Sequence, residues 1–123
     1  MEKKMILLVD DEKDLVSTIK MRLDHYGYDI IAAYDGQEAL EKVRNKKPDL
    51  IILDLMLPKI DGYKVCSMLK LDEKYKDVPI IIFTARAQES DRKLALECGA
   101  DDYIVKPFEP QILLDKIKVL LNK

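Results

Sequence analysis

The sequence predicts an α/β domain: a doubly wound (βα)₅ chain with a five-stranded parallel sheet of order 2-1-3-4-5 and helices on both faces. Three observations predict it. Five short runs rich in Ile, Leu and Val recur along the chain, "MILLV", "DIIAA", "LIILD", "PIIIF" and "YIVK". They are near-continuous rather than alternating, the pattern of strands covered on both faces. Amphipathic segments separate them, and such alternation folds as a parallel sheet between helical layers with right-handed crossovers.

The elements follow in order. The first helix runs from about Glu12 to His25, with Leu15, Ile19 and Leu23 on one face, and stops at Gly27, a natural C-cap. The second starts at Asp35 in "DGQE", a capping-box-like signal, buries Ala39, Leu40 and Val43, and ends before Pro48. A third begins near Asp61 and Gly62 and carries Val65, Cys66 and Leu69. A fourth covers about Ser90 to Cys98, with Leu94 and Ala95 inward, and ends at Gly99. The last starts at Pro110, suited to a first turn, and carries Ile112, Leu113, Ile117, Leu120 and Leu121.

Length and composition narrow the function. The 123 residues suit one domain with one core, 1–123, without linker, repeat or low-complexity tract. Net charge is only −2 although 36% of residues are charged. That balance argues against a nucleic-acid or membrane-surface binder, which needs a basic excess. Cys66 and Cys98 show no CxxC spacing and no cluster with His25, so no zinc or redox site is read, and each is expected to pack as a small apolar residue. The opening apolar run is too short for a signal peptide and no run approaches a membrane span, so a soluble, cytoplasmic protein is expected. His25 reads as a partner of a helix end, Tyr26 and Tyr28 as packing residues, and "RNKKP" as a solvated helix end.

In parallel α/β sheets, function sits at the carboxyl ends of the strands, near the point where strand order reverses. Strand one ends in Asp10 and Asp11, strand three in Asp54, strand four in Thr84 and strand five in Lys106, whereas strand two ends in Tyr34 and Asp35. If the polar ends form one site, strand two is an edge, which gives the order above. The run "LLVDDE" crowds three acids at a strand mouth, where like charges repel and resist leaving water. Carboxylates so packed make a hard-cation site, and Mg²⁺ or Mn²⁺ is the expected cofactor. Asp11 and Asp54 are the best direct ligands, Asp10 acts through water, and the backbone carbonyl of Met56 offers a further oxygen. A carboxylate can attack phosphorus, and Asp54, alone at the end of an apolar strand, is the natural nucleophile. Lys106 and Thr84 can bind an arriving phosphoryl group.

Together, "LLVDDE", "PDLIILDLMLPKIDG", "PIIIFTA" and "GADDYIVKPF" resemble, in order and spacing over essentially the whole chain, the response-regulator receiver domains of two-component signalling, the family of CheY. The resemblance implies the flavodoxin-like form of the fold. It implies that Asp54 accepts a phosphoryl group from the phosphohistidine of a sensor histidine kinase or phosphotransfer protein, and that Asp10 and Asp11 form the acid pocket for Mg²⁺. By the same resemblance Thr84 is the switch hydroxyl, Lys106 contacts the phosphoryl group, Tyr103 is the aromatic switch, and the bond before Pro107 is cis. Pro58 and Gly62 match the loop after the acceptor. Met56 and Arg86 flank the path of the attacking water, and an apolar Met56 implies a long-lived phosphoryl state. The chain is then a phosphoacceptor switch rather than an enzyme, promoting its own phosphorylation and autodephosphorylation. Its fourth helix, fifth strand and fifth helix control a downstream effector or output domain. "GADDYIVKPF" resembles receivers of winged-helix transcription factors, which dimerise through that surface, and Lys116 stands where they often carry Arg. Helix one and the loop after strand five are the expected kinase-docking surface.

Competing functions are set apart by residues. A flavodoxin-like cofactor binder needs a Ser/Thr/Gly-rich loop where this chain has "DDE". A haloacid-dehalogenase-type phosphatase needs a second Asp at position 56. A phosphorylation-independent docking module usually lacks one of the acids or the lysine, and this chain keeps them all.

Overall fold

Each apolar run becomes a strand, and each amphipathic segment a helix laid across the sheet. The computed structural model describes residues 3–85 and 89–122. The chain alternates β1 (Met5–Val9), α1 (Lys13–His25), β2 (Asp29–Ala33), α2 (Gly36–Asn45), β3 (Leu50–Asp54), α3 (Gly62–Leu71), β4 (Ile80–Thr84), α4 (Glu89–Glu97), β5 (Asp102–Val105) and α5 (Pro110–Leu121). The five strands pair in parallel in the order β2-β1-β3-β4-β5.

Every residue of β1, β3 and β4 is buried, because helices cover both faces of the three central strands. The edge strands β2 and β5 are only partly covered. Alternation along the strands sorts their side chains into two cores. Leu7, Ile51, Leu53, Ile80 and Ile82 face α2, α3 and α4. Ile6, Leu8, Leu50, Ile52, Ile81 and Phe83 face α1 and α5.

Local signals set the helix ends. The Asp35 carboxylate accepts the Glu38 N–H at 2.8 Å, and Glu38 Oε1 accepts the Tyr34 N–H at 2.6 Å, so the box reaches back one residue beyond the cap itself. Asp61 caps α3 by accepting the Lys64 N–H at 3.0 Å. Gly27, at φ +91°, turns the chain out of α1, and Gly99, at φ +94°, turns it after α4.

One inward assignment is corrected. Leu94 is exposed, and α4 instead buries Asp91 and Ala95. Those two lie four residues apart and so share the inner stripe, with Asp91 held by Tyr63 of α3, whose hydroxyl donates to the Asp91 carbonyl oxygen at 3.2 Å. Ile112 of α5 is also exposed, beside buried Leu113, Leu114 and Ile117. Tyr28 packs on the α1/α5 core, whereas Tyr26 is exposed and meets the His25 ring edge-on at 5.5 Å.

The loop after β3 is held tightly against the strand end. A Cβ on Gly62 would stand 2.1 Å from the Asp54 carbonyl oxygen, a backbone atom that cannot swing aside. Gly62→Ala is expected to cost about 1–3 kcal/mol in urea unfolding with an unchanged denaturant slope. Leu71→Ala, at a position 85% exposed, is expected to change stability by less than about 0.5 kcal/mol.

Candidate functional site

The carboxyl ends of β1, β3 and β5 converge on one cluster. Asp10, directly after β1, is wholly buried; its Oδ1 accepts the Glu12 N–H at 2.9 Å and its Oδ2 accepts a charge-assisted bond from Lys106 Nζ at 2.7 Å. Asp54, the last residue of β3, is also buried; its Oδ1 accepts the Met56 N–H at 3.2 Å and its Oδ2 lies 3.3 Å from Lys106 Nζ. Asp11 is exposed. One carboxylate oxygen from each of Asp10, Asp11 and Asp54 lies within 4.8 Å of the others.

Lys106 follows β5 and reaches back 96 residues to Asp10. Two features missed by the sequence reading steady its ammonium. It sits 4.6 Å from the centroid of the Phe83 ring, which Phe108 meets edge-on at 6.2 Å, and it lies 3.5 Å from the exposed Glu12 carboxylate. No spacing in the sequence marks a ring on the neighbouring strand as its cushion. The bond between Lys106 and Pro107 is cis, as expected.

Charge at the site does not balance. Burial, first, and the nearby Asp10 carboxylate push the Asp54 carboxyl up to about 6, against the Met56 N–H and Lys106, which favour the ionised form. Burial alone would lower the Lys106 ammonium, but Asp10 and Asp54 outweigh it and hold it above its ordinary value. Three acids and one close lysine therefore leave a local negative excess. Oxygen-only donors with excess negative charge are what a hard divalent cation requires, so the chemistry of the donor set fits Mg²⁺ or Mn²⁺.

The remaining sites fall on the other side of the sheet. Asp54 pairs in register with Phe83, and Phe83 with Ile104, which places Asp54 and Lys106 toward the α1/α5 face. Thr84 pairs with Val105, and Tyr103 with Ile82, which places Thr84 and Tyr103 toward α4. Thr84 is wholly buried and Tyr103 half-buried. The Met56 side chain is exposed while its N–H holds Asp54. Arg86 lies outside the described residues.

With this geometry in view, comparison with known proteins is decisive. The family model of the response regulator receiver domain matches residues 6–118. The chain belongs to the response regulator receiver domain family. This receiver is 47% identical over 120 residues to the alkaline phosphatase synthesis transcriptional regulatory protein PhoP of Bacillus subtilis, covering 98% of this chain and 49% of that protein. The receiver thus spans about half the length of that relative. Among solved structures, a putative response regulator from Chloroflexus aurantiacus superposes with a TM-score of 0.95 at 35% identity, covering 99% of this chain and 100% of that one. The receiver domain of the sensor histidine kinase PA1611 from Pseudomonas aeruginosa, which carries a magnesium ion in its active-site cleft, superposes with a TM-score of 0.91 at 31% identity, over 99% and 100% of the two chains.

The raised Asp54 value sets a pH dependence. The folded state binds the Asp54 proton more tightly than an unfolded chain at the ordinary 3.8. Its contribution to stability is therefore present below about pH 4 and lost as pH rises through about 6. Asp54→Asn, which removes the buried charge and keeps an acceptor for Met56, is expected to stabilise the metal-free receiver by about 1–3 kcal/mol at pH 7.5. Thermal melts in EDTA should show that gain shrinking toward zero near pH 4.

Proposed function

We propose that Asp54 accepts a phosphoryl group from the phosphohistidine of a sensor histidine kinase or phosphotransfer protein, and that the acquired charge resets the surface of α4, β5 and α5. The observation that carries this reading is the Lys106 ammonium held between Asp10 and Asp54 at 2.7 and 3.3 Å, at the mouth of a buried carboxylate. A carboxyl near 6 is largely ionised at neutral pH and more basic than an ordinary aspartate, which suits a nucleophile. An Asp54 oxygen forms the bond to phosphorus as the bond from phosphorus to nitrogen breaks, and that electron pair stays on the imidazole.

Asp11 and Asp54, with the Met56 carbonyl, would hold Mg²⁺ directly. Asp10, already committed to Glu12 and Lys106, would act through water. A bound Mg²⁺ supplies neutralising charge among the carboxylates and toward the phosphoryl oxygens. Lys106 exchanges a carboxylate partner for a phosphoryl oxygen. The Thr84 hydroxyl, on the α4 side of the sheet, is drawn over the lip toward the same group. Tyr103 stands on that side and follows into the vacated volume, so a charge placed on one face is read out on the other.

A groove of about 850 Å³ runs beside Lys106 between Leu15, Ile19 and Arg22 of α1 and Pro107, Phe108 and Leu113. It suits a partner helix that delivers phosphohistidine to Asp54. On the opposite flank Lys116 binds both oxygens of Asp102 at 3.0 Å within the chain. A homodimer through α4, β5 and α5 would have to open or share that pair. We read residues 1–123 as one receiver domain acting in the cytoplasm. The transcriptional role in the name of the PhoP relative favours an output domain or partner that controls transcription, with DNA contacts made outside this domain. Among the described residues, no helix is long and apolar enough to cross a membrane.

Incubation with Mg²⁺ and acetyl phosphate, followed by intact mass, tests the reading. One phosphate adduct is expected, absent in Asp54→Ala and abolished by EDTA. An adduct surviving in Asp54→Ala would move the acceptor elsewhere, and no adduct on folded protein would favour a docking module. Lys106→Ala should slow uptake by at least about tenfold. The exposed Met56 thioether cannot align a water strongly. The adduct should therefore survive for minutes or longer after the donor is removed, and decay within seconds would contradict that role of Met56.

A further inference from the structure

Cys66 and Cys98 stand 32 residues apart in sequence and meet in the fold. Cys66, wholly buried on α3, donates its thiol to the Cys98 carbonyl oxygen at 3.4 Å. Cys98, in the turn that ends α4, is part-exposed and donates to the Ala95 carbonyl oxygen at 3.0 Å. The two thiols are near enough to shift each other's acidity in opposite directions. We propose that Cys98 and Cys66 form a peroxide-sensitive dithiol that closes into an intramolecular disulfide tying the end of α4 to α3.

Geometry and chemistry assign different roles to the two sulfurs. Cys98 is part-exposed and Cys66 is buried, and the Cys66 sulfur already lies 3.4 Å from the Cys98 carbonyl oxygen, so the two residues are in contact. The neighbouring Cys66 thiol, ahead of the opposing burial and aided by the Ala100 N–H and Lys70, holds the Cys98 thiol down to about 7, while Cys66 is pushed up by the neighbouring Cys98 and by burial. Cys98 is thus the sulfur that meets the oxidant as thiolate, and Cys66 the one that resolves it.

The steps balance with a hydroperoxide as oxidant. The Cys98 thiolate attacks a peroxide oxygen; the sulfur–oxygen bond forms, the oxygen–oxygen bond breaks, and hydroxide leaves. The Cys66 sulfur then attacks the Cys98 sulfenic acid; the disulfide forms, the sulfur–oxygen bond breaks, and water leaves with the thiol proton. The two thiols give two electrons, and hydrogen peroxide becomes two waters. The tie falls where it has most to restrain, because α4 buries only Asp91 and Ala95 of its nine residues.

The experiment treats the whole chain with hydrogen peroxide and records intact mass, peptide maps, melting temperature and hydrogen exchange. Expected are a loss of about 2 Da, reversal by a phosphine reductant, a linked peptide joining residues 66 and 98, a melting temperature raised by roughly 5–10 °C, and slowed exchange in α4. In Cys66→Ser, dimedone should trap a sulfenic acid on Cys98; in Cys98→Ser, Cys66 should stay unmodified. Peptide maps separate oxidation of exposed methionines such as Met21. Oxygen adducts on Cys98 of wild-type protein without the cross-link, a disulfide between two chains, or thiols left untouched under conditions that oxidise glutathione would each overturn the proposal. None of these readouts depends on phosphoryl transfer.

Discussion

Everything at the carboxyl edge of this sheet depends on how one ammonium is shared between two buried carboxylates. Lys106 satisfies Asp10 closely and Asp54 less closely. A buried charge without full compensation is costly, and the shortfall appears as the raised Asp54 carboxyl. The fold tolerates the strain because each acid also takes a backbone N–H, Asp10 from Glu12 and Asp54 from Met56. An apolar pair would pack more securely there. What the charged arrangement provides is a site short of positive charge, able to take a cation and with it a phosphoryl group.

The pleat of the sheet sets the site residues on opposite faces. Asp54 and Lys106 stand toward α1 and α5, and Thr84 and Tyr103 toward α4. Under the proposed switch, a group seated on the lip would lie between the two sets. The helix on the receiving side is also thinly anchored: α4 offers two buried residues, whereas α1 and α5 each offer three. Elements with little buried surface lie at the low end of local stability, where a modest change in contacts can move them.

How much of this could be read from sequence follows from the kind of interaction involved. The central strands were legible because cover on both faces demands unbroken apolar runs, and their order was legible because the runs that share a site end in polar groups. Leu94 was misjudged because a pattern that sends apolar residues inward has no term for Tyr63, which gives Asp91 a partner from another helix. Ile112 stands exposed because α5 carries more apolar residues than its inner face can hold. The Phe83 cushion under Lys106 and the meeting of Cys66 with Cys98 depend on register and on close approach of helices, and neither leaves a local spacing to find. The acid pocket was legible for the opposite reason: three consecutive acids at a strand mouth conflict with burial unless a counter-charge arrives, so the local inconsistency itself marked the function.

The two ends of β4 are built for opposite tasks. At its start, Lys70 donates to the Val78 carbonyl at 2.8 Å, to the Lys76 carbonyl at 3.2 Å and to Asp101 Oδ2 at 2.8 Å, and that same carboxylate oxygen accepts the Ile80 N–H at 2.8 Å. This network ties the end of α3, the turn before β4 and the entry to β5 into one block, and the Gly99 turn packs against the Lys70 stem. At its far end β4 carries the buried Thr84 on the α4 side of the sheet. Under the proposed switch, a displacement begun at Thr84 would meet a strand whose base is held by this block. The proposed tie between Cys98 and Cys66 would fall at this same block, beside the Gly99 turn.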